Sequence, residues 1–367
     1  MKLTIHSGTL LSNLQIAAAA ISSNTIIPIL QNFLFTVKGD ELEIRTSDLE
    51  TMILVNIHVT AETDGSYAVP SKILIDFLKT LRDEPITIEV LENGQMEIKG
   101  GGRGKYKFMT ESAEEFPAKE DVPETKTKIP GEQLLQMIKW GESAVSNDEL
   151  RPQMTGYYFD FHSNSLNLVS TDAHTLVQSV VKGNDLDANF IVPQKAMNFL
   201  KNTIENDLKS EVEISWGEKR VFFKCGEVSI DSRLIVGTYP DYNTVIPSNN
   251  PNTLHVDTED LIAAIKRVML FASKSTFQII LNIAAEKISL LAQDLDYSNE
   301  AQEEMACEYE GEEIQIAFNA KYLMACFKAL GTTQARITMS HPARAALIFP
   351  VDGGDVKFLI MPLMINV

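Results

Sequence analysis

The chain has 367 residues, 32 Lys+Arg against 50 Asp+Glu for a formal net charge of −18, and 44% apolar residues. That profile excludes a disordered chain and, at roughly 100–200 residues per domain, predicts two or three folded domains. The acid surplus taken alone argues against nucleic acid, because phosphate binding asks for a basic footprint. Cys225, Cys307 and Cys326 have no CxxC spacing, which excludes a disulfide framework or structural zinc site and fits a reducing cytosol. No apolar run reaches the roughly 18–20 residues that span a bilayer. His6, Ser7, Ser12, Asn13 and Gln15 interrupt the N-terminal stretch where a secretory signal needs an unbroken apolar region.

The predicted elements, in chain order, begin with a helix over 8–21, apolar at i, i+3, i+4 and i+7. A strand over 42–48 ends in Asp48, and a helix over 70–82 follows Pro70, a good start signal. Gly100–Gly104 reads as a hairpin tip before the alternating strand Tyr106–Met109. A charged linker over 117–130 leads to a helix over 131–145. A strand over 166–172 ends in Asp172, and a helix over 193–203 follows Pro193. Val221–Lys224 alternates, and Pro247–Asn252 carries the turn chemistry of a second linker. A helix over 258–272, a strand over 288–294 ending in Asp294, a helix over 319–330 and a strand over 358–360 complete the chain. The class is α+β with antiparallel sheets.

These elements recur. Val69-Pro70-Ser71-Lys72, Val192-Pro193-Gln194-Lys195 and Phe318-Asn319-Ala320-Lys321 open equivalent amphipathic helices at offsets of 123 and 126 residues. The first helices and the strands ending in Asp follow the same period. Three markers in one order at one spacing define three similar domains, 1–126, 127–252 and 253–367.

Charge is distributed by element rather than by domain. The three domains carry −7, −5 and −6, whereas the six predicted helices sum to +5, leaving −23 elsewhere. The second helix of each repeat is +2, which suits a weakly basic surface that contacts phosphates without reading sequence. Lys99, Arg103, Lys105 and Lys107 crowd one hairpin of the first domain, and nine acids lie between Asp294 and Glu313 of the third. Opposite charges on edge strands of like domains suit head-to-tail pairing, which a homo-oligomer closes into a ring.

No P-loop, HExxH, GxSxG or zinc-deaminase spacing occurs. Asp172 and His174 admit a catalytic pair, but a strand-end turn around a hydrogen-bonded Asp explains all three copies of that residue. The C-terminal run Phe358–Val367 is almost wholly apolar; its Met-rich, Pro-shaped end suits adaptable binding of short peptides. A scaffold of the same repeats that never meets DNA is the remaining alternative.

Together the motifs resemble a family, the bacterial DNA polymerase III beta subunit, or sliding clamp. The resemblance rests on Thr25-Ile26-Ile27-Pro28-Ile29-Leu30-Gln31-Asn32, Ser47-Asp48-Leu49-Glu50, Phe116-Pro117, Ser170-Thr171-Asp172-Ala173-His174, Tyr239-Pro240-Asp241-Tyr242, Phe318-Asn319-Ala320-Lys321-Tyr322 and Met361-Pro362-Leu363. It implies the clamp fold, a head-to-tail homodimeric ring around double-stranded DNA, a cytoplasmic location, and no cofactor, metal or catalytic chemistry. Implied partners are the replicative DNA polymerase, the clamp loader, and other polymerases and repair proteins carrying short motifs. It implies a peptide pocket at Met154, Thr171, Ala173, His174, Thr175, Leu176, Pro240, Thr244, Val245, Phe277, Asn319, Tyr322, Ala343, Ala345, Ile360, Met361, Pro362, Leu363 and Met364. The implied dimer interface sets Lys105, Tyr106 and Phe108 against Phe271, Glu303 and Glu304. DNA contacts fall to Asn24, Lys72, Lys79, Gln153, Lys195, Lys201, Lys266 and Lys321. Asn24, Thr175 and Thr244 stand where the family often has Arg, Gln153 lies where it has a nearby Tyr, and Ile365-Asn366-Val367 replaces its terminal Arg-Leu.

Overall fold

A computed structural model describes residues 1–22, 25–100, 104–183 and 185–365. Its helices are α1 (Ser7–Ala17), α2 (Ser71–Leu78), α3 (Gly131–Gly141), α4 (Gln194–Asn206), α5 (Thr258–Val268) and α6 (Ala320–Leu330). Short 3-10 turns extend α1, α3 and α5, so the first helix of each repeat matches its sequence expectation to within a residue or two.

Local chemistry explains the helix ends. Asp257 caps α5 through the Asp260 N–H, with Glu259 and Asp260 in the first turn and Lys266 and Arg267 in the last, all aligned with the helix dipole. Asn319 caps α6 through the Lys321 and Tyr322 N–H groups, and Gly331 at φ 70° ends it. α2 stops at Leu78, short of the expected 82, because Thr80 and Leu81 donate back three residues and tighten the last turn. Lys79 and Arg82 therefore lie beyond α2, Glu142 lies beyond α3, and Glu205 lies within α4. The six observed helices carry +3 rather than +5. The first linker is also shorter than expected, since Lys126–Pro130 is a strand paired with Glu211–Trp216.

The chain forms two compact units that cut across the three repeats, residues 1–135 with 195–234 and residues 136–194 with 235–367. The first unit holds a nine-stranded sheet in which Thr51–His58 of repeat one pairs antiparallel with Val228–Arg233 of repeat two. It also holds a five-stranded sheet that ends on Lys105–Met109. The second unit has a nine-stranded sheet in which Thr175–Lys182 of repeat two pairs with Val356–Ile360 of repeat three. Its four-stranded sheet ends on Asn299–Ala306.

The two inter-repeat ladders share one register. Each repeat's ladders, followed strand by strand from its first strand, make Lys107, Asp231 and Leu359 equivalent. Followed from the second helix, Met52, Leu176 and Glu300 are equivalent. Asp231 lies opposite Met52 and Leu359 opposite Leu176. Each nine-stranded sheet thus contains the two half-sheets that the four- and five-stranded sheets represent separately. The cores lie between helices and sheets; in the second unit Leu261, Ile265, Phe318, Leu323, Phe327 and Phe358 belong to one buried cluster.

Among the described residues no helix is long and apolar enough to cross a membrane, and no group of three acidic, His or Cys side chains could hold a metal.

Candidate docking site and interfaces

The turn after Ser165–Thr171 is built around Asp172. Its Oδ1 accepts the His174 N–H at 2.9 Å, the Thr175 N–H at 2.6 Å and the Thr175 hydroxyl at 3.0 Å. The Thr171 hydroxyl donates to the Thr175 carbonyl and accepts from the Ala173 N–H. Ala173 is left at φ 72°, a strained conformation for a residue with a Cβ, held by those bonds. The twin turn at Asp48 has the same design, with Leu49 at φ 76°. A catalytic Asp172–His174 pair is not assembled: Asp172 serves the turn, and the His174 ring stacks on Tyr322 at 5.3 Å.

Other implied pocket residues converge on this turn within the second unit. The His174 carbonyl accepts the Met361 N–H, and the Leu363 N–H donates to Ala317, which ties the C-terminal segment alongside. The Asn319 amide donates to the Thr276 carbonyl, next to Phe277 at φ 49°. Leu176 and Ala345 join an apolar cluster with Tyr239 and Tyr242, the residues that flank Pro240. Tyr239 stacks on Tyr158, and the Tyr242 hydroxyl donates to Asp160 at 2.6 Å. Burial of Tyr239 and Tyr242 pushes their hydroxyl pKa values well up, so both stay protonated. The Thr244 hydroxyl donates to the Asp241 carbonyl, and the Ala343 N–H donates to His341 Nδ1. Met154 and Ile360 are buried, Pro362 and Leu363 half-buried, and Val245, Met361 and Met364 present apolar surface to solvent. The implied pocket residues thus combine buried apolar and hydrogen-bonded positions with exposed methionine side chains.

The implied DNA residues are not one equivalent row. Asn24 lies outside the described residues. Lys72, Lys79 and Lys266 are exposed, and Lys201 and Gln153 are half-buried. Lys195 is ion-paired with Asp48. Lys321 departs furthest from a phosphate-facing role, because its ammonium sits 3.5 Å from the Phe277 ring centroid, a cation–π contact at the docking site. Phe277 provides that ring; the equivalent positions in the other repeats are Gln31 and Thr155.

The edge strand Lys105–Met109, which the resemblance implies at a dimer interface, has the alternation expected of it. The Tyr106 ring packs at a tilt against Phe77 of α2, with centroids 4.5 Å apart, beside half-buried Phe108. The opposite face holds a residue that the sequence reading missed. Glu97 is 3% exposed and accepts Lys99 at 2.8 Å, Lys105 at 2.7 Å and Lys107 at 3.3 Å. Those hydrogen bonds, Lys105 first and then Lys99, hold its carboxyl at about 2. The two-residue spacing of Glu97 and Lys99 on one strand was the available signal. Arg103 lies outside the described residues.

Acids on the acidic edge strand are likewise paired within the chain. Glu303 accepts Arg267 Nε at 2.9 Å and Glu304 accepts Lys287 at 2.9 Å, so both have partners within the chain. Phe271 and its neighbour Leu270 are exposed in the turn after α5. Burial pushes the Cys326 thiol up to about 12, which keeps it an inert core residue.

A threefold α+β repeat with two helices per domain, joined through continuous antiparallel sheets, defines the DNA-clamp class. Models of the DNA polymerase III beta subunit match in order, the N-terminal domain at 1–120, the central domain at 128–241 and the C-terminal domain at 243–364. The beta sliding clamp of Pseudomonas putida is 27% identical over 99% of this chain and all of its own length. That of Bacillus subtilis is 28% identical over 99% of each. A crystal structure of the DNA polymerase III subunit beta from Pseudomonas aeruginosa matches over 100% of both chains, with a TM-score of 0.94 at 27% identity. The Thermotoga maritima beta subunit matches over the same share with a TM-score of 0.90 at 25% identity. The chain belongs to the DNA polymerase III beta subunit family, the non-catalytic sliding clamps of DNA replication.

Proposed function

We propose that two copies of this chain close into a ring around duplex DNA and tether the replicative polymerase to it. One observation carries this reading. The five-stranded sheet opens at Lys105–Met109 and the four-stranded sheet opens at Asn299–Ala306, and these are the two halves that are joined in both nine-stranded sheets. Joining one copy's open half to the other half of a second copy completes two further nine-stranded sheets, and the head-to-tail pairing closes. The shared register sets Lys107 opposite Glu300 of the partner subunit and Tyr106 opposite Ala301 of the partner subunit. Unpaired strand edges of this length are otherwise a liability that folded proteins cover.

Domains 1–126, 127–252 and 253–367 then contribute two helices each to a mildly positive lining. Few and exposed lysines favour a loose, salt-sensitive association in which the ring slides. The Asp172 turn, the tyrosine cluster and the methionine rim accept short apolar motifs of polymerases, repair proteins and a clamp loader, in the cytoplasm. A Pseudomonas aeruginosa clamp bound to griselimycin, matching at a TM-score of 0.94, supports a built ligand site on this fold.

The test is topological. Protein loaded on nicked circular DNA should remain with it through gel filtration and leave when the DNA is cut once. Equal loss from circular and linear DNA would refute encirclement.

A further inference from the structure

The threefold repeat places one Asp at the end of the same strand and one Lys at the start of the second helix in every domain: Asp48, Asp172 and Asp294 with Lys72, Lys195 and Lys321. At the first inter-repeat junction the Asp of one repeat and the Lys of the next form an ion pair, Asp48 with Lys195. At the second junction Lys321 has turned onto the Phe277 ring instead, and Tyr322 covers His174. The remaining members are Asp294 and Lys72.

Asp294 is 5% exposed, yet its carboxylate accepts no hydrogen bond among the described residues. Its counterparts Asp48 and Asp172 are satisfied by their own turns. The third turn differs in that its ladder runs one pair further, to Asp294 opposite Asn299, whereas the others end at Ser47 opposite Met52 and at Thr171 opposite Leu176. Asp294 also lines a cavity of 320 Å³ with Asp296, Ser273, Thr276 and Gln278, which contains no basic side chain. The Asp294 side chain is thus enclosed while its carboxylate opens onto this cavity, where an entering cation would supply the partner it lacks.

Lys72 is exposed at the start of α2 and has no partner among the described residues. The route taken by Lys321 is closed to it, since Gln31 stands where Phe277 supplies the ring. We infer that Asp294 receives Lys72 of the partner subunit, repeating across the dimer junction the Asp48–Lys195 pair within the chain. The inference rests on the head-to-tail dimer proposed above. It reassigns Lys72 from phosphate contact to subunit pairing.

Sedimentation equilibrium over a concentration series tests it on the full chain. Lys72→Glu and Asp294→Lys should each raise the dimer dissociation constant about tenfold, and Lys72→Asp with Asp294→Lys together should restore it to within about threefold. Asp294→Asn, nearly isosteric, should weaken the dimer in the same direction and guards against misfolding of the Lys variant. A wild-type monomer at every concentration would overturn the dimer reading and this pairing with it. An intact dimer indifferent to both single changes, or not recovered by the swap, would overturn the pairing alone. An unchanged dimer that leaves circular DNA faster in Lys72→Glu would return Lys72 to the DNA surface and overturn it too.

Discussion

Replacing Asp172 with Ala should open the turn at the centre of the proposed docking site. Three donors converge on one carboxylate oxygen, at 2.6, 2.9 and 3.0 Å. Hydrogen bonds to a charged group are each worth about 1.5–3 kcal/mol, but the bonds share one acceptor and the turn is partly solvated, so about 2–3 kcal/mol for the set is a reasonable figure. Ala173 adds to the tendency to open, since its left-handed backbone costs about 1 kcal/mol that only these bonds offset. Local opening should therefore become roughly 30- to 150-fold more frequent. The assay is amide hydrogen exchange at Thr175, together with titration of the clamp-binding segment of the replicative polymerase. Exchange should accelerate by that factor and peptide affinity should fall at least about tenfold. Asp48→Ala is the internal control, opening the twin turn and leaving peptide affinity unchanged. If Asp172→Ala binds peptide like the wild type, or Asp48→Ala weakens it equally, the turn does not shape the site.

Ala173→Gly should stabilise the same turn by about 1 kcal/mol, read as slower Thr175 exchange, because Gly meets no Cβ penalty at positive φ. Glu97 supplies a pH signature. Its folded pKa of about 2 lies below the ordinary 4.5, so its contribution is complete above 4.5 and is lost as pH falls toward 2. The difference in denaturation midpoint between wild type and Glu97→Gln should be constant down to about pH 4.5 and close near pH 2; a gap that persists there refutes the assignment. Glu300→Lys should weaken the dimer roughly five- to tenfold by facing Lys107 of the partner subunit, and Glu303→Lys less so, as that residue is paired with Arg267; light scattering at falling concentration separates the two.

Much of the architecture was legible in the chain because repetition multiplies weak signals. A Lys after a Val-Pro pair is uninformative once, but three copies at a fixed spacing with an Asp-ended strand between them define a repeat. The helices were legible from their apolar period and their caps, Asp257 and Asn319 among them. Side-chain partnerships were not legible. The lysines at 72, 195 and 321 are indistinguishable by position, yet one meets Asp48, one meets Phe277 and one has no partner among the described residues of its own chain. The hairpin lysines looked like charge offered to a partner, but Glu97 beneath them already takes three ammonium groups.

The opening charge of −18 changes meaning accordingly. The acid surplus is fixed by composition, and no fold alters it. Which charges are spent inside the chain and which remain to act is a matter of distance and burial. The sequence alone therefore determined the threefold α+β repeat, because helix and strand periodicity are local properties of the backbone. Only the tertiary structure decided that Asp294 accepts no hydrogen bond among the described residues, that Lys321 meets Phe277 and that the two inter-repeat ladders share a register, because pairing energies depend on separations of a few ångströms between residues far apart in the chain.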